Sequence, residues 1–122
     1  MSTLNVIRTT EVHDYVLQLA DRLQLNYNSR YGDSTALNDS YFEVDAGRKY
    51  YRIWLIDNQK SIHAFINKET GDVFKPAGYN KPAKHVRYNL LDKSSRDNCL
   101  LRADWAGGYL YLRWLILLLF YS

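Results

Sequence analysis

Cysteine occurs once in this chain of 122 residues, at Cys99, so no internal disulfide can form and the usage fits a reducing compartment. Proline is almost as scarce. Both prolines, Pro76 and Pro82, fall inside one short stretch and leave the rest of the chain free of strand and helix breakers of that kind. No apolar run approaches the roughly 20 residues of a spanning helix, and no continuous apolar segment opens the chain as a secretory signal would. The longest such run, WLILLLFYS at residues 114–122, is under half the needed length and reads as a buried strand end or an oligomer contact. Catalytic signatures are missing as well: there is no GxSxG, P-loop, paired-glycine fingerprint or HExxH. Residues His13, His63 and His85 fall on three different predicted elements, which gives no metal-ligand spacing. Cys99 sits within an amphipathic pattern, where a buried inert thiol is the usual outcome. The expectation is therefore a single-domain protein, residues 1–122, that is not an enzyme and needs neither a cofactor nor a metal.

What the chain does have is tyrosine, eleven of them with three tryptophans. These side chains combine a flat apolar face with a polar tip, and they suit interfaces and stacking sites as well as half-buried strands. The formal charge is only +3, which indicates an anionic partner without the excess of a strong nucleic-acid binder. Its distribution says more: Lys75, Lys81, Lys84, His85 and Arg87 follow one another with no carboxylate before Asp92.

Periodicity divides the chain into an α+β order. Thr9 or Thr10 can cap a helix with Val12, Tyr15, Val16, Leu19, Ala20 and Leu23 on one face, ending near Asn26. From Tyr41 the period becomes two, and SYFEV, RKYYRIWLID, SIHAFIN and DVFK read as four strands joined by short hairpins. Alternation puts Tyr51, Ile53, Leu55, Ile62, Ala64, Ile66 and Val73 on a face for the helix. The other face carries Tyr50, Arg52, Trp54, His63, Phe65 and Phe74, and a ligand, a partner subunit or the rest of the chain must cover it. A short second helix is expected from Ser94 or Ser95, with Asp97 at capping-box spacing from Ser94, and a fifth strand over residues 109–119. The fold expected is a helix packed on a four- or five-stranded antiparallel sheet, assembled as an oligomer.

Residues 71–92, GDVFKPAGYNKPAKHVRYNLLD, connect the last of the four strands to the second helix. Two prolines and two glycines deny this segment a regular ladder, and its charges require a surface position. A nucleotide-like ligand asks for cations, a flat aromatic and an amide for the base edge. The segment offers Lys75, Lys84 and Arg87 for phosphate, Tyr79 for stacking and Asn80 or Asn89 for the base edge, with Arg30 and Arg113 as cations from elsewhere.

The stretch SIHAFINKETGDVFKPAGYNKPAKHVRYNLLD and the later RADWAGGYLYLR together resemble the first-described Thoeris anti-defence family of phage proteins. The likeness extends from the N-terminal helix and NYNSRYG through RKYYRIW to Arg113. These are non-enzymatic sponges for signalling nucleotides. The resemblance implies a cyclic ADP-ribose isomer, released by a TIR-domain enzyme and held uncleaved in pockets between subunits of a dimer or hexamer. It also implies a second class of ligand, cyclic oligonucleotides at separate sites, and a location in the cytoplasm of an infected bacterial host. By motif, Tyr79 would stack on the base, in a position where Trp or Phe is the family's residue. Asn89 would contact the base or ribose, and Arg113 and Arg30 would engage the pyrophosphate. The alternative reading is a small nucleic-acid-binding or host-takeover protein that presents the same basic segment to a polyanion.

Overall fold

A computed structural model describes residues 3–32 and 40–111 of the chain. Helix α1 (Thr3–Tyr31) begins earlier and ends later than the periodicity implies. Its buried residues Val12, Val16, Leu19, Leu23 and Tyr27 repeat at three and four positions, the spacing that gives one apolar stripe. Tyr27 extends the stripe beyond Asn26, so NYNSRY is helical, and Gly32 (φ +82) then ends the helix with its N–H on the Asn28 carbonyl at 2.6 Å.

Strands β1 (Tyr41–Ala46), β2 (Tyr50–Ile56), β3 (Lys60–Asn67) and β4 (Asp72–Phe74) follow as an antiparallel meander. The turns are made by short polar side chains. Asp57 accepts the Gln59 N–H, and Asn67 Oδ1 accepts the N–H groups of Glu69 and Thr70 before Gly71 (φ +76) closes the connection. The connecting segment, expected to lack a regular ladder, is built differently. It contains a separate two-stranded hairpin, β5 (Pro76–Gly78) with β6 (Lys81–Pro82), and then β7 (Tyr88–Asn89), which pairs with β4 and completes a sheet of order β1-β2-β3-β4-β7. The fifth strand of the described sheet thus comes from the connection, while the expected strand over residues 109–119 lies mostly outside the described residues. Tyr109 and Leu110 lie in a 3-10 turn (Gly108–Leu110), and residues 112–122, including Arg113 and the apolar run, are outside the described residues.

Helix α2 (Lys93–Arg102) is capped by Asp92, whose carboxylate accepts the Ser95 N–H at 3.0 Å. Neither Ser94 nor Ser95 is the cap: the Ser95 hydroxyl instead accepts the Asn89 N–H, and Asp97 pairs with Lys93 in place of the expected capping box. The main core lies between α1 and the inner face of the sheet, where Tyr51, Ile53, Ala64, Ile66 and Val73 meet Val12, Val16, Leu19 and Leu23, with Tyr88, Leu90, Cys99, Tyr109 and Leu110 closing one end.

One register change decides which side chains face where. Ile53 pairs with Ala64, but Trp54 pairs with Ile62, so His63 is an extra residue on β3. Such a bulge interrupts the strict alternation. His63, expected on the outer face, therefore contacts the inner-face residue Phe42 and shares a 2.9 Å hydrogen bond with the buried Tyr109 hydroxyl, whereas Ile62 is carried to the side of Trp54.

Gly71 is needed for two reasons: its positive φ, and the approach of Leu91, whose backbone nitrogen would lie 3.2 Å and whose Cγ 3.1 Å from an added Cβ. Gly71→Ala is expected to lower stability by about 1–3 kcal/mol. Gly78→Ala, where an added Cβ meets nothing within 4 Å, should change it by less than about 0.5 kcal/mol. Urea denaturation of the two variants beside the wild type checks both.

Candidate ligand site at the hairpin tip

The outer face of the sheet is covered by the chain itself. The β5–β6 hairpin folds back over β2 and β3, and under it Trp54 and Phe65 are 3% and 2% exposed. Tyr50 makes edge contacts with Phe65 and Phe74 at 5.7 and 6.0 Å, so this side is a second, smaller aromatic core.

At the hairpin tip Tyr79 is 69% exposed, with one side of its ring against Trp54 at 5.5 Å and a tilt of 54°. Next to it the Asn80 amide oxygen accepts from Arg52 Nη1 at 3.2 Å. Arg52 is held from below by Asp45, with Nε and Nη2 on the two carboxylate oxygens at 2.8 and 3.1 Å, the bidentate geometry that fixes a guanidinium. Two cations flank the Trp54 ring, the Arg52 guanidinium at 5.6 Å and Lys60 Nζ at 4.6 Å. Partial burial pushes the Asp45 carboxyl up, but the hydrogen bonds and charge of Arg52 outweigh it and hold the group below its ordinary pKa. A hydrogen bond from the Trp54 indole, looser than the normal geometry, also lowers the Asp45 carboxyl.

The remaining sequence-predicted residues are distributed elsewhere. Lys75, at the hairpin base, lies over the Tyr111 ring at 5.1 Å. Arg87 binds inward, with Nε on the Leu110 carbonyl at 2.7 Å and Nη1 on the carbonyls of Lys84 and His85; burial pulls its pKa down. His85, which Arg87 holds, is the one described non-glycine residue with positive φ, +73. Asn89 uses both ends of its amide within the fold: Nδ2 donates to Thr70 O and Asp72 Oδ1, and Oδ1 accepts the N–H groups of Leu91 and Asp92. Arg30 is exposed in the last turn of α1, on the helix side of the sheet. It lines a groove of about 570 Å³ with Asn26, Ser29, Asp104, Trp105 and Ala106. Trp105 is fixed there by edge contacts of its ring to Tyr27 and Tyr31 and by its backbone N–H, which donates to Asn26 Oδ1. Of the six sequence-predicted residues that are described, only Tyr79 and Asn80 meet at this surface; Arg113 lies outside the described residues. Arg52, Trp54 and Lys60 join them without having been singled out as site residues, although alternation already put Arg52 and Trp54 on one face. Trp105 had no periodic signal, since ADWAGG is neither strand nor helix.

Three buried titratable groups, Cys99, Tyr109 and His63, are held neutral. Burial pushes the Cys99 thiol up to about 12, and it raises the Tyr109 hydroxyl well above its ordinary value. Burial takes His63 down to about 4 against a smaller opposing effect of Asp104. Among the described residues no group of three or more His, Cys, Asp or Glu is placed to hold a metal ion, and no helix is long and apolar enough to cross a membrane.

The sequence model of a family of unknown function, DUF7717, matches residues 3–112, and the chain belongs to that family. Neither a curated protein nor a solved structure matches it.

Because the folded protein keeps His63 neutral down to about pH 4 while the unfolded chain takes up the proton near 6.5, the unfolded state binds more protons in that window. The stability associated with this group is complete above pH 6.5 and is lost as pH falls toward 4, by roughly 3 kcal/mol. His63→Gln, which can still bond the Tyr109 hydroxyl but cannot titrate, should lose less stability between pH 7 and pH 4. Urea midpoints of the two proteins across that range check the difference.

Proposed function

We propose that this member of a family of unknown function is a phage anti-defence sponge, which captures a small cyclic nucleotide signal of the cyclic ADP-ribose type and holds it without breaking a bond. The observation that carries the reading is the hairpin tip: an exposed Tyr79 ring backed by Trp54, beside the Asn80 amide and the cations of Arg52 and Lys60. A nucleotide needs these three elements together, a stacking face, an amide for the base edge and positive charge for phosphate. Tight capture favours pre-set groups, because each side chain ordered only on binding costs affinity. Arg52, clamped by Asp45, and Tyr79, seated on Trp54, are ordered before a ligand arrives.

The Tyr79 ring at the tip is largely exposed, and a small anion is held best in a closed site. A second copy of the chain laid against the hairpin would close it, and the groove at Arg30 and Trp105 offers such a copy a cation and a further aromatic. The sponge reading therefore includes a homo-oligomer, a dimer or a hexamer, acting in the cytoplasm of an infected bacterium. The basic residues around the tip would also attract a polyanion, and salt separates the two. Many released counterions give a steep salt dependence, whereas a pocket for one pyrophosphate gives a shallow one.

Titration calorimetry against cyclic ADP-ribose isomers and cyclic di- and trinucleotides is the test. At least one ligand should bind at submicromolar strength with a shallow salt dependence, and denaturing the loaded protein should return it chemically intact. Tyr79→Ala should weaken binding by about 1–3 kcal/mol, the usual worth of one stacked base. Silence toward the whole panel ends the proposal, and recovery of cleaved product replaces it with an enzyme.

A further inference from the structure

The main sheet ends on β1 and β7, and the free sides of these two strands differ. Strand β7 is two residues long, and its Asn89 N–H is taken by the Ser95 hydroxyl at 2.7 Å. Strand β1 is six residues long, and every second residue turns its backbone groups away from β2. The turn after it shows which ones. The Gly47 N–H points back to the Tyr50 carbonyl at 2.8 Å, so Ala46, Val44 and Phe42 face outward. Gln24 of α1 agrees with this parity: its side-chain amide accepts the Phe42 N–H at 2.9 Å and donates to the Ser40 carbonyl at 3.3 Å, as a neighbouring strand would. Gln24 covers only that end. Beyond it Val44 and Ala46 face a side of the sheet with no further strand among the described residues, and such an edge is a template for one more strand.

Helix α1 adds an apolar contact beside this edge. His13, Leu17 and Gln24 share one stripe of the helix; His13 meets Tyr51, which pairs with Ala46, and Gln24 meets Phe42. Leu17, between them, is exposed. A second β1 does not suit the edge. Antiparallel self-pairing of the outward residues through Val44 sets Glu43 against Glu43, Glu43 against Asp45, or Asp45 against Asp45 of the other copy, and like charges directly opposite are destabilising. The strand that fits carries no carboxylate and brings a cation to the exposed Glu43. Residues 112–122, LRWLILLLFYS, outside the described residues, have that composition: Arg113 is their only charged residue and 114–121 are apolar throughout. With Arg113 beside Glu43, strand alternation would bring Leu112, Trp114 and Ile116 to the side of Leu17. The chain's own segment cannot reach that position. Tyr111 lies under Lys75, next to the Leu110 carbonyl that Arg87 binds, at the β4–β7 side of the sheet. Four strand spacings, about 19 Å, separate β7 from β1, whereas the two residues from Tyr111 to Arg113 span about 7 Å.

We infer that residues 112–119 of one copy add a strand to the open β1 edge of a second copy, with Arg113 beside Glu43, and that two copies exchange these segments reciprocally. Each copy has one such edge and one such segment, so the exchange closes on a two-fold axis and leaves neither unpaired. The contact needs no nucleotide. It goes beyond the capture reading, whose ligand titrations are independent of it.

Light scattering of the full wild-type chain without nucleotide should give the mass of an even number of 14.4 kDa chains. The double variant Glu43→Cys/Arg113→Cys, in which the native Cys99 is buried, should form a disulfide-linked dimer when oxidised, seen on a non-reducing gel, where neither single variant does. Adding Val44→Pro removes an outward N–H from the middle of the edge, a place where a strand tolerates proline. It should abolish the link while circular dichroism shows the fold retained. A wild type of monomer mass, a disulfide confined to one chain, the absence of any link, or a link that survives Val44→Pro in the folded protein overturns the exchange. None of these outcomes touches nucleotide capture, which its own titrations decide.

Discussion

A sheet with apolar side chains on both faces must be covered twice, and in this protein the two covers differ. Helix α1 shields the inner face with aliphatic residues at helical spacing, and burying each such side chain contributes on the order of 1.5–3 kcal/mol. Among the described residues no second helix lies over the outer face. Its large rings, Trp54 and Phe65, are removed from water by a hairpin of five residues in two strands, inserted between β4 and β7. Water exclusion by so small an element requires that its base be tied at both ends. The ties are the β4–β7 pairing, the Ala83 N–H on the Lys75 carbonyl, and Arg87 gathering the carbonyls of Lys84, His85 and Leu110.

From that arrangement the candidate site follows. The hairpin tip brings a tyrosine and an asparagine over a strand that already carries Arg52 and Trp54, so stacking, amide and cationic groups share one surface although they are separated by more than twenty residues in sequence. Asp45 aligns the guanidinium of Arg52, and the sheet register sets that pair directly across β1 and β2. Positive charge is thus presented in a fixed direction.

The interior behind the site contains polar groups that serve the fold. His63, displaced inward by the bulge, joins the Tyr109 hydroxyl, and the Tyr88 hydroxyl donates to the Tyr109 carbonyl, so the 3-10 turn is fastened to the sheet at two points. Asn89 does the same for the start of α2, and Gly71 allows the chain to pass close beneath Leu91. Residues that look like ligand groups by type can be structural by position, and Asn89 and Arg87 show how: their side chains donate to main-chain carbonyls and, for Asn89, to the Asp72 carboxylate as well.

By itself the sequence determined the class of fold, one long helix against an antiparallel sheet with a short second helix, because periods of 3.6 and 2 are local properties that neighbouring residues express directly. It also determined that residues 71–92 are the place where cations, a tyrosine and amides accumulate. The tertiary structure decided what became of them. A bulge is invisible to a pattern of alternation, so the side to which His63 turned was settled only by pairing with β2. Five residues of hairpin have too little periodicity to be seen, so the cover over Trp54 emerged only in space. The assignment of Asn89 to the fold and of Tyr79 to the surface depended on contacts between segments far apart in the chain, and no local propensity encodes those.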